Sequence, residues 1–198
     1  MKKIDEIIVG TNNKGKYREL RDLLPKKLKI YSPEKFNLHS PEESGKTFIE
    51  NSIIKASYYS KKTNLICLAD DSGLEIDILD GEPGIYSSRW SGENNNFDLA
   101  INKVFKEIKK VYKKKENDLS AKFICCLTLF WPDGKIFTSK GEIKGKISLE
   151  KKGNNGFGYD PIFIPQGYNK TFGEMDLNLK TSLDHRYRAF FLIKKFFA

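Results

Sequence analysis

The stretch from Leu65 to Ile78 constrains this chain most: the apolar run Leu65-Ile66-Cys67-Leu68-Ala69 stops abruptly at Asp70-Asp71-Ser72-Gly73. Such a run reads as a buried strand that delivers two carboxylates to a loop. Adjacent acids at the carboxyl end of a core strand repel each other and lose hydration, so they are tolerated chiefly where a cation or a proton is handled. The spacing therefore points to chemistry with a metal. The plainer alternatives are a helix N-cap, an Asx-turn, or one acid capping and the other solvated.

With 198 residues, 39% of them hydrophobic and 13% aromatic, the chain can build one sizeable core. A single folding unit spanning residues 1–198, divided into two lobes around a cleft, is the expectation. The net charge of +9 raises the possibility of a polyanionic partner. Against this, Lys far outnumbers Arg, and Lys, Asn, Ile, Phe and Tyr are all plentiful, a pattern that low-GC codon usage produces without a selected partner. Arg is the better reader of bases, so nucleic acid is not expected. Cys67, Cys125 and Cys126 are odd in number, lie in apolar runs and lack paired metal-ligand spacing; they read as buried reduced thiols. After Lys2 and Lys3 the apolar stretch is only Ile7-Ile8-Val9, too short for a signal-peptide core or a membrane span. A cytoplasmic protein with no membrane partner is expected.

The pattern predicts a strand over Ile4–Val9, a polar turn, and a helix over Lys16–Leu24 closed by Pro25. A second helix covers Thr47–Thr63, with Phe48, Ser52, Ala56 and Tyr59 on a buried stripe and Thr47, Asn51 and Lys55 recurring every four residues on another. Strands follow at Leu65–Ala69 and Glu75–Ile78, then a helix over Asn96–Val111. Ala121–Trp131 and Lys135–Lys146 flank the turn residues Pro132-Asp133-Gly134 and form a hairpin. A Gly-rich loop, a short strand at Pro161–Ile164 and a final helix over Ser182–Phe197, striped by Phe190, Ile193 and Phe197, complete the chain. Helices mixed with parallel-type and hairpin-type strands imply an α/β protein with a mixed sheet. The run Lys113-Lys114-Lys115 reads as a solvated turn.

Gly10-Thr11-Asn12-Asn13-Lys14-Gly15-Lys16-Tyr17 follows a strand and opens a helix, where backbone N–H groups favour a phosphate. It is nearly a Walker A loop, but Tyr17 stands where that loop needs a small hydroxyl for magnesium. A plain helix start is the alternative. Glu42 and Glu43 lie in a flexible loop and are ordinarily just solvated; magnesium, however, wants one or two carboxylates plus water and phosphate, so a second carboxylate would complete a site at Asp71.

Gly153-Asn154-Asn155-Gly156-Phe157-Gly158-Tyr159-Asp160-Pro161 sets two aromatics and an acid among permissive glycines. Phe157 is suited to stack a base; the alternative is a tight turn whose Phe157 and Tyr159 plug the core. Lys180 and His185-Arg186 group donors near the last helix, with Asp184 suited to be its N-cap. Arg89 beside Trp90 reads as a ligand contact or a surface cation–π pair.

Taken together and in this order, these motifs closely resemble the inosine triphosphate pyrophosphatase family, the non-standard purine nucleoside triphosphate pyrophosphatases. The shared runs are Thr11 to Lys16, Thr47-Phe48-Ile49-Glu50-Asn51, Asp70-Asp71-Ser72-Gly73-Leu74, Pro83-Gly84-Ile85-Tyr86-Ser87, Gly156 to Pro161, and Lys180 with His185-Arg186, spanning nearly the whole chain. The resemblance implies an elongated mixed β-sheet flanked by helices, in two lobes around a central nucleotide cleft. It implies hydrolysis of ITP, dITP and XTP to the nucleoside monophosphate and pyrophosphate.

Its residue roles follow position by position. Thr11, Asn12, Asn13, Lys14, Gly15 and Lys16 would embrace the triphosphate, and Lys55 would add charge. Glu43 and Asp71 would ligand Mg2+, with Asp71 also the proton acceptor for the attacking water. Ser72 would lie against the nucleotide, Phe157 would stack on the purine with Gly158 beside it, Tyr159 and Asp160 would hold its edge, and Lys180, His185 and Arg186 would complete base recognition. A homodimer is implied as well. Two departures stand out: Asn12 occupies a place often held by Gly, and Asp184 replaces the Ser that usually precedes His-Arg. Rival readings are a P-loop phosphotransferase, a nucleic-acid-binding module, and a related pyrophosphatase acting on other nucleotides.

Overall fold

The structure, a computed structural model, describes residues 4–92, 95–112 and 119–197. The Lys113–Lys115 run lies outside the described residues. The strands are β1 (Glu6–Val9), β2 (Lys29–Tyr31), β3 (Cys67–Ile76), β4 (Ser120–Phe130), β5 (Ile136–Ile147) and β6 (Phe163–Pro165). The helices are α1 (Lys14–Leu23), α2 (Phe48–Thr63), α3 (Phe97–Val111), α4 (Leu177–Leu183) and α5 (His185–Ile193). The six strands form one mixed sheet in the order β2-β1-β3-β4-β5-β6, parallel where β1 meets β2 and β3 and antiparallel where β5 meets β6.

The chain divides into two compact units. The first comprises residues 1–71, 125–141 and 186–198, and the second residues 72–124 and 142–185. Strands β3, β4 and β5 each give residues to both, so the chain changes unit between Asp71 and Ser72, Ile124 and Cys125, and Gly141 and Glu142. A fourth change falls between His185 and Arg186. In the first unit Ile7, Val9, Leu20, Leu68, Leu127, Ala189, Phe190 and Ile193 form the main core. In the second, Leu74, Ile76, Ile101, Val104, Phe123, Phe163 and Phe172 do so. Each core takes a hydrophobic face from helices and from sheet, as an α/β layer architecture requires.

Most helix ends follow local chemistry. Asn13 caps α1, its side chain accepting the Lys16 N–H, and the helix stops at Leu24, whose extended backbone is what a following Pro25 demands. Thr47 caps α2 the same way, and Asn64 closes it in the left-handed conformation that Asn tolerates. The buried stripe of α2 is the one its spacing predicts, with Phe48, Ser52, Ala56 and Tyr59 all inside, and Asn51 and Lys55 join them. The three cysteines are buried free thiols. Among the described residues no helix is long and apolar enough to cross a membrane.

Two expectations are corrected, and one strand is added. First, Asp70-Asp71-Ser72-Gly73 is not a loop: the two predicted strands are one, β3, and the acids sit in its middle. Turn-forming residue types normally signal a break, but here the strand runs on through the acids, which pair with cations from neighbouring helices. Second, β2 is a three-residue, largely polar edge strand with no alternation to reveal it. Third, the last helix is two, broken at Asp184, whose extended backbone ends α4 with its N–H on the Lys180 carbonyl.

Candidate active site

Alternation along β3 sends Asp70 and Asp71 to opposite faces, and each meets its own set of charges. Asp71, 4% exposed, accepts from Lys55 Nζ at 2.9 Å. The same ammonium donates to Glu43 at 2.6 Å. Glu43 comes from an irregular segment before α2, and Lys55 comes from the inward face of α2, so three separate elements converge on one nitrogen. Asp70, wholly buried, meets Lys16 Nζ at 3.3 Å and Arg186 at 3.2 Å, and Arg186 also holds Glu19 in a close ion pair. All of these residues belong to the first unit.

Burial opposes charge here, and the outcome differs between partners. For Lys55, burial pulls the ammonium pKa down, but the surrounding charges of Asp71, Asp70 and Glu43 outweigh it and hold it above the ordinary lysine value. For Asp71, burial raises the carboxyl pKa, and the opposing charges of Lys55 and Lys16 do not cancel the shift. Asp71 is therefore a carboxylate short of positive charge. Its Oδ2 atom is buried with no hydrogen-bond partner among the described residues. That is the condition of a group suited to a cation. Among the described residues, no three His, Cys, Asp or Glu side chains are placed to hold a metal together. The donor set at this point is two carboxylates, which fits magnesium, an ion that draws its other ligands from water and phosphate.

The strand-to-helix turn is built more tightly than a bare glycine loop. Thr11 Oγ1 accepts the Asn13 N–H at 3.2 Å, and Asn13 Oδ1 is used as the α1 cap. Asn12 donates to Ser40 at 3.1 Å and to the Tyr59 hydroxyl at 3.4 Å, so the departure from Gly adds a tie between this turn and the segment that leads to Glu43. Lys14 is exposed, Gly15 and Lys16 are half-buried, and Tyr17 packs on the core. Tyr17, half-buried against that core, has a ring where a Walker A loop needs the small hydroxyl of Ser or Thr, which counts against the Walker A reading.

The second unit gathers a different set. The Gly-rich segment folds on Asp160, whose Oδ2 accepts the Phe157 N–H at 2.8 Å and pairs with Lys180 Nζ at 2.7 Å. At Gly156 the backbone is left-handed (φ +76°), and a Cβ there would collide with the Asp160 carboxylate, so only glycine fits. Lys180, 1% exposed, lies 5.1 Å from the centre of the half-buried Phe157 ring. Gly158 lies next to Phe97, which also meets the Tyr159 ring edge-on. Tyr159 is a core residue, its hydroxyl donating to the Ser87 carbonyl at 2.8 Å; burial pushes its pKa up. His185 is buried and stacked on Phe123, with ring centres 4.8 Å apart. Ser72, half-buried, opens this unit's share of β3.

The structure thus brings Phe157, Asp160 and Lys180 together, and separately Glu43, Lys55 and Asp71. Arg186 is engaged by Glu19 and Asp70 within the first unit. Arg89 lies over Tyr86 rather than Trp90, which takes Lys103 instead. Sequence reasoning missed Glu19 and Ser87. Glu19 had a readable signal, since it falls three residues after Lys16 on the same helix face; Ser87 acts through its backbone carbonyl and had none. A concavity of about 730 Å³ elsewhere in the second unit, lined by residues such as Lys122, Lys144 and Tyr168, contains none of these groups.

Known proteins match the chain over nearly its whole length. The model of the Ham1 family matches residues 7–196. The dITP/XTP pyrophosphatase of Zymomonas mobilis is 41% identical over 185 residues, 93% of this chain and 88% of that protein. Among solved structures, the HAM1 protein of Coxiella burnetii matches with a TM-score of 0.85 at 35% identity over 96% of both chains. The Ham1 protein of Staphylococcus aureus matches with a TM-score of 0.82 at 36% identity, over 96% of this chain and 97% of that one. On a family match that runs almost end to end, this chain belongs to the Ham1 family.

Proposed function

We propose that this protein hydrolyses non-standard purine nucleoside triphosphates such as dITP, ITP and XTP to the monophosphate and pyrophosphate, removing them before they enter nucleic acid. The observation that carries the reading is the convergence of Glu43 and Asp71 on one ammonium beside a helix start rich in N–H donors. Two carboxylates that meet the same ammonium at 2.6 and 2.9 Å lie close enough to serve one cation site. In this reading Glu43 and Asp71 hold Mg2+, and the chemistry it supplies when bound is the withdrawal of negative charge from the phosphates. The homologue names accord with this reading, being those of dITP/XTP pyrophosphatases.

The chain's own groups then divide the work. The α1 start from Thr11 to Lys16 receives phosphate oxygens, with Lys16 and the helix dipole favouring the anion. Lys55 carries positive charge to the pyrophosphate as it leaves, because its ammonium stays protonated among three carboxylates. Asp71, the proton acceptor that the resemblance implies, orients the attacking water more than it carries its proton far, because a carboxylate that also holds a divalent cation is a weakened base. Asp70 does not touch substrate; it holds Lys16 and Arg186 in place.

In the second unit Phe157 offers its ring to the purine, and Asp160, Lys180 and Tyr159 act first by fixing the Phe157 segment. His185 and Ser72 complete the contacts on that side. Donors that meet the purine 6-oxo group would face the 6-amino donor of adenine, and a mismatched buried hydrogen bond can reject the wrong base by about 10⁴. A homodimer belongs to the same reading, on the resemblance alone.

Incubation with Mg2+ and a panel of ITP, XTP, dITP, GTP and ATP tests the reading. Pyrophosphate should appear from the first three. Orthophosphate as the first product, or no turnover of ITP and XTP, would overturn it.

A further inference from the structure

Residues 38–45 have no helix or strand of their own, so Glu43 is placed by whatever grips this segment from outside. Helix α2 does so at three points. Asn51 Oδ1 accepts the Gly45 N–H at 2.8 Å, Glu50 accepts the Lys46 N–H at 2.6 Å, and Lys55 donates to Glu43 itself at 2.6 Å. Glu50 is exposed, where water competes for its bond, whereas Asn51 is wholly buried.

The fit between Asn51 and Gly45 is close. A Cβ added to Gly45 would stand 2.6 Å from Asn51 Oδ1 and 2.7 Å from Glu50 Cβ, so the segment's backbone lies directly against the amide. The Gly45 N–H also fixes which way the amide is turned, because only its oxygen can accept. Asn51 Nδ2 then faces away and has no acceptor among the described residues. One helical turn further on, Lys55 occupies the same face and reaches both Glu43 and Asp71.

We propose that Asn51 is a positioning residue for the metal site: its amide ties down the backbone two residues beyond Glu43, so that the Glu43 carboxylate stays where it meets Asp71. Divalent-cation affinity depends on that tie, while the reacting groups do not touch it. The proposal rests on the reading of Glu43 and Asp71 as metal ligands, and the experiment separates the two.

Mn2+ binding to the purified full chain is measured by the loss of its free-ion EPR signal, alongside kcat for ITP at saturating Mg2+. Asn51→Ala should weaken Mn2+ binding by about tenfold, the factor carried by one buried neutral hydrogen bond, with kcat at saturating metal within about threefold of wild type. Gly45→Ala, on a surface segment, should reproduce the loss of affinity without opening a cavity in the core, which keeps the test usable if Asn51→Ala folds poorly. Glu43→Gln is the control. If it weakens Mn2+ binding but Gly45→Ala and a folded Asn51→Ala do not, the positioning role is wrong and the metal reading stands. If Glu43→Gln leaves Mn2+ binding unchanged, the metal reading itself falls. A drop in kcat with unchanged Mn2+ affinity in Asn51→Ala would also overturn the role.

Discussion

In the first unit, among the ion pairs of the described residues, the four carboxylates Glu19, Glu43, Asp70 and Asp71 meet the three cations Lys16, Lys55 and Arg186. In the second unit the pair Lys180–Asp160 is closed by phenylalanine rings on two sides, with Phe157 and Phe172 both within 6 Å of the ammonium. In the proposed reading the difference separates a cation site from a base-stacking site. A buried network left one positive charge short is stable only at a cost that an added cation relieves. A neutral pair under aromatic faces needs no further charge and instead presents a flat apolar surface, the surface a base stacks on.

The sharpest way to break the comparison is to remove the group that makes the first unit deficient. Asp71→Asn should lower kcat for ITP by about 10³, within the range a general base supplies. Turnover near the wild-type rate would show that the acid excess has no catalytic meaning. The same substitution should leave the near-ultraviolet signal of the aromatic second unit unchanged.

Next in size is the support behind the site. Glu19→Gln leaves the buried Arg186 guanidinium with Asp70 as its carboxylate partner, and breaking a buried ion pair of this kind costs about 3 kcal/mol. Urea denaturation should show a loss of that order. A loss below about 0.5 kcal/mol would mean that Arg186 is held by its other contacts and that Glu19 is dispensable.

How far these features can be read from the chain follows the same division. The helices and the hairpin are legible because their caps, stripes and turn residues are local: Asn13, Thr47, Asn64 and the Trp131–Lys135 turn all act within a few residues of themselves. The resemblance names the residues expected at a site, but not how they are wired. No local rule shows that Asp70 and Asp71 remain within a strand, where they pair with Lys16, Lys55 and Arg186, as far as 116 residues away in the chain. Nor does sequence show that Tyr159 has its hydroxyl on the Ser87 carbonyl, a bond to a backbone atom that any residue could have supplied. Asp184 stands immediately before the last helix, where a cap is expected, but its extended backbone also ends a helix on its other side, which no local rule announces.

A third test addresses the second unit. Phe157→Ala removes the ring that lies over Lys180, and base stacking on an aromatic is worth about 1–3 kcal/mol. The ratio kcat/KM for ITP should fall about tenfold or more, while inhibition by free pyrophosphate, which has no base, should be unchanged. Equal loss of both would merge the two halves that the comparison keeps apart.

The smallest effect is the most specific to the charge deficit, because it follows the proton on Asp71. Burial, with Glu43 adding to it, raises this carboxyl's pKa in the folded metal-free protein, against the pull of Lys55 and Lys16. Folding therefore takes up a proton between the unfolded and the folded value. Asp71 contributes its stability to the metal-free fold at low pH, and that contribution is lost as pH rises through the folded value. A divalent cation reverses the preference, since it binds the carboxylate and expels the proton. Below the folded pKa of Asp71, Mn2+ affinity should climb by about tenfold per pH unit and then level off. Calorimetry in buffers of different ionisation heat should detect the released proton directly. Glu43→Gln removes a neighbouring negative charge that raises the Asp71 pKa, so the midpoint of the metal-free stability profile should move to lower pH. A midpoint that stays where it was would mean that Glu43 and Asp71 do not share one electrostatic site.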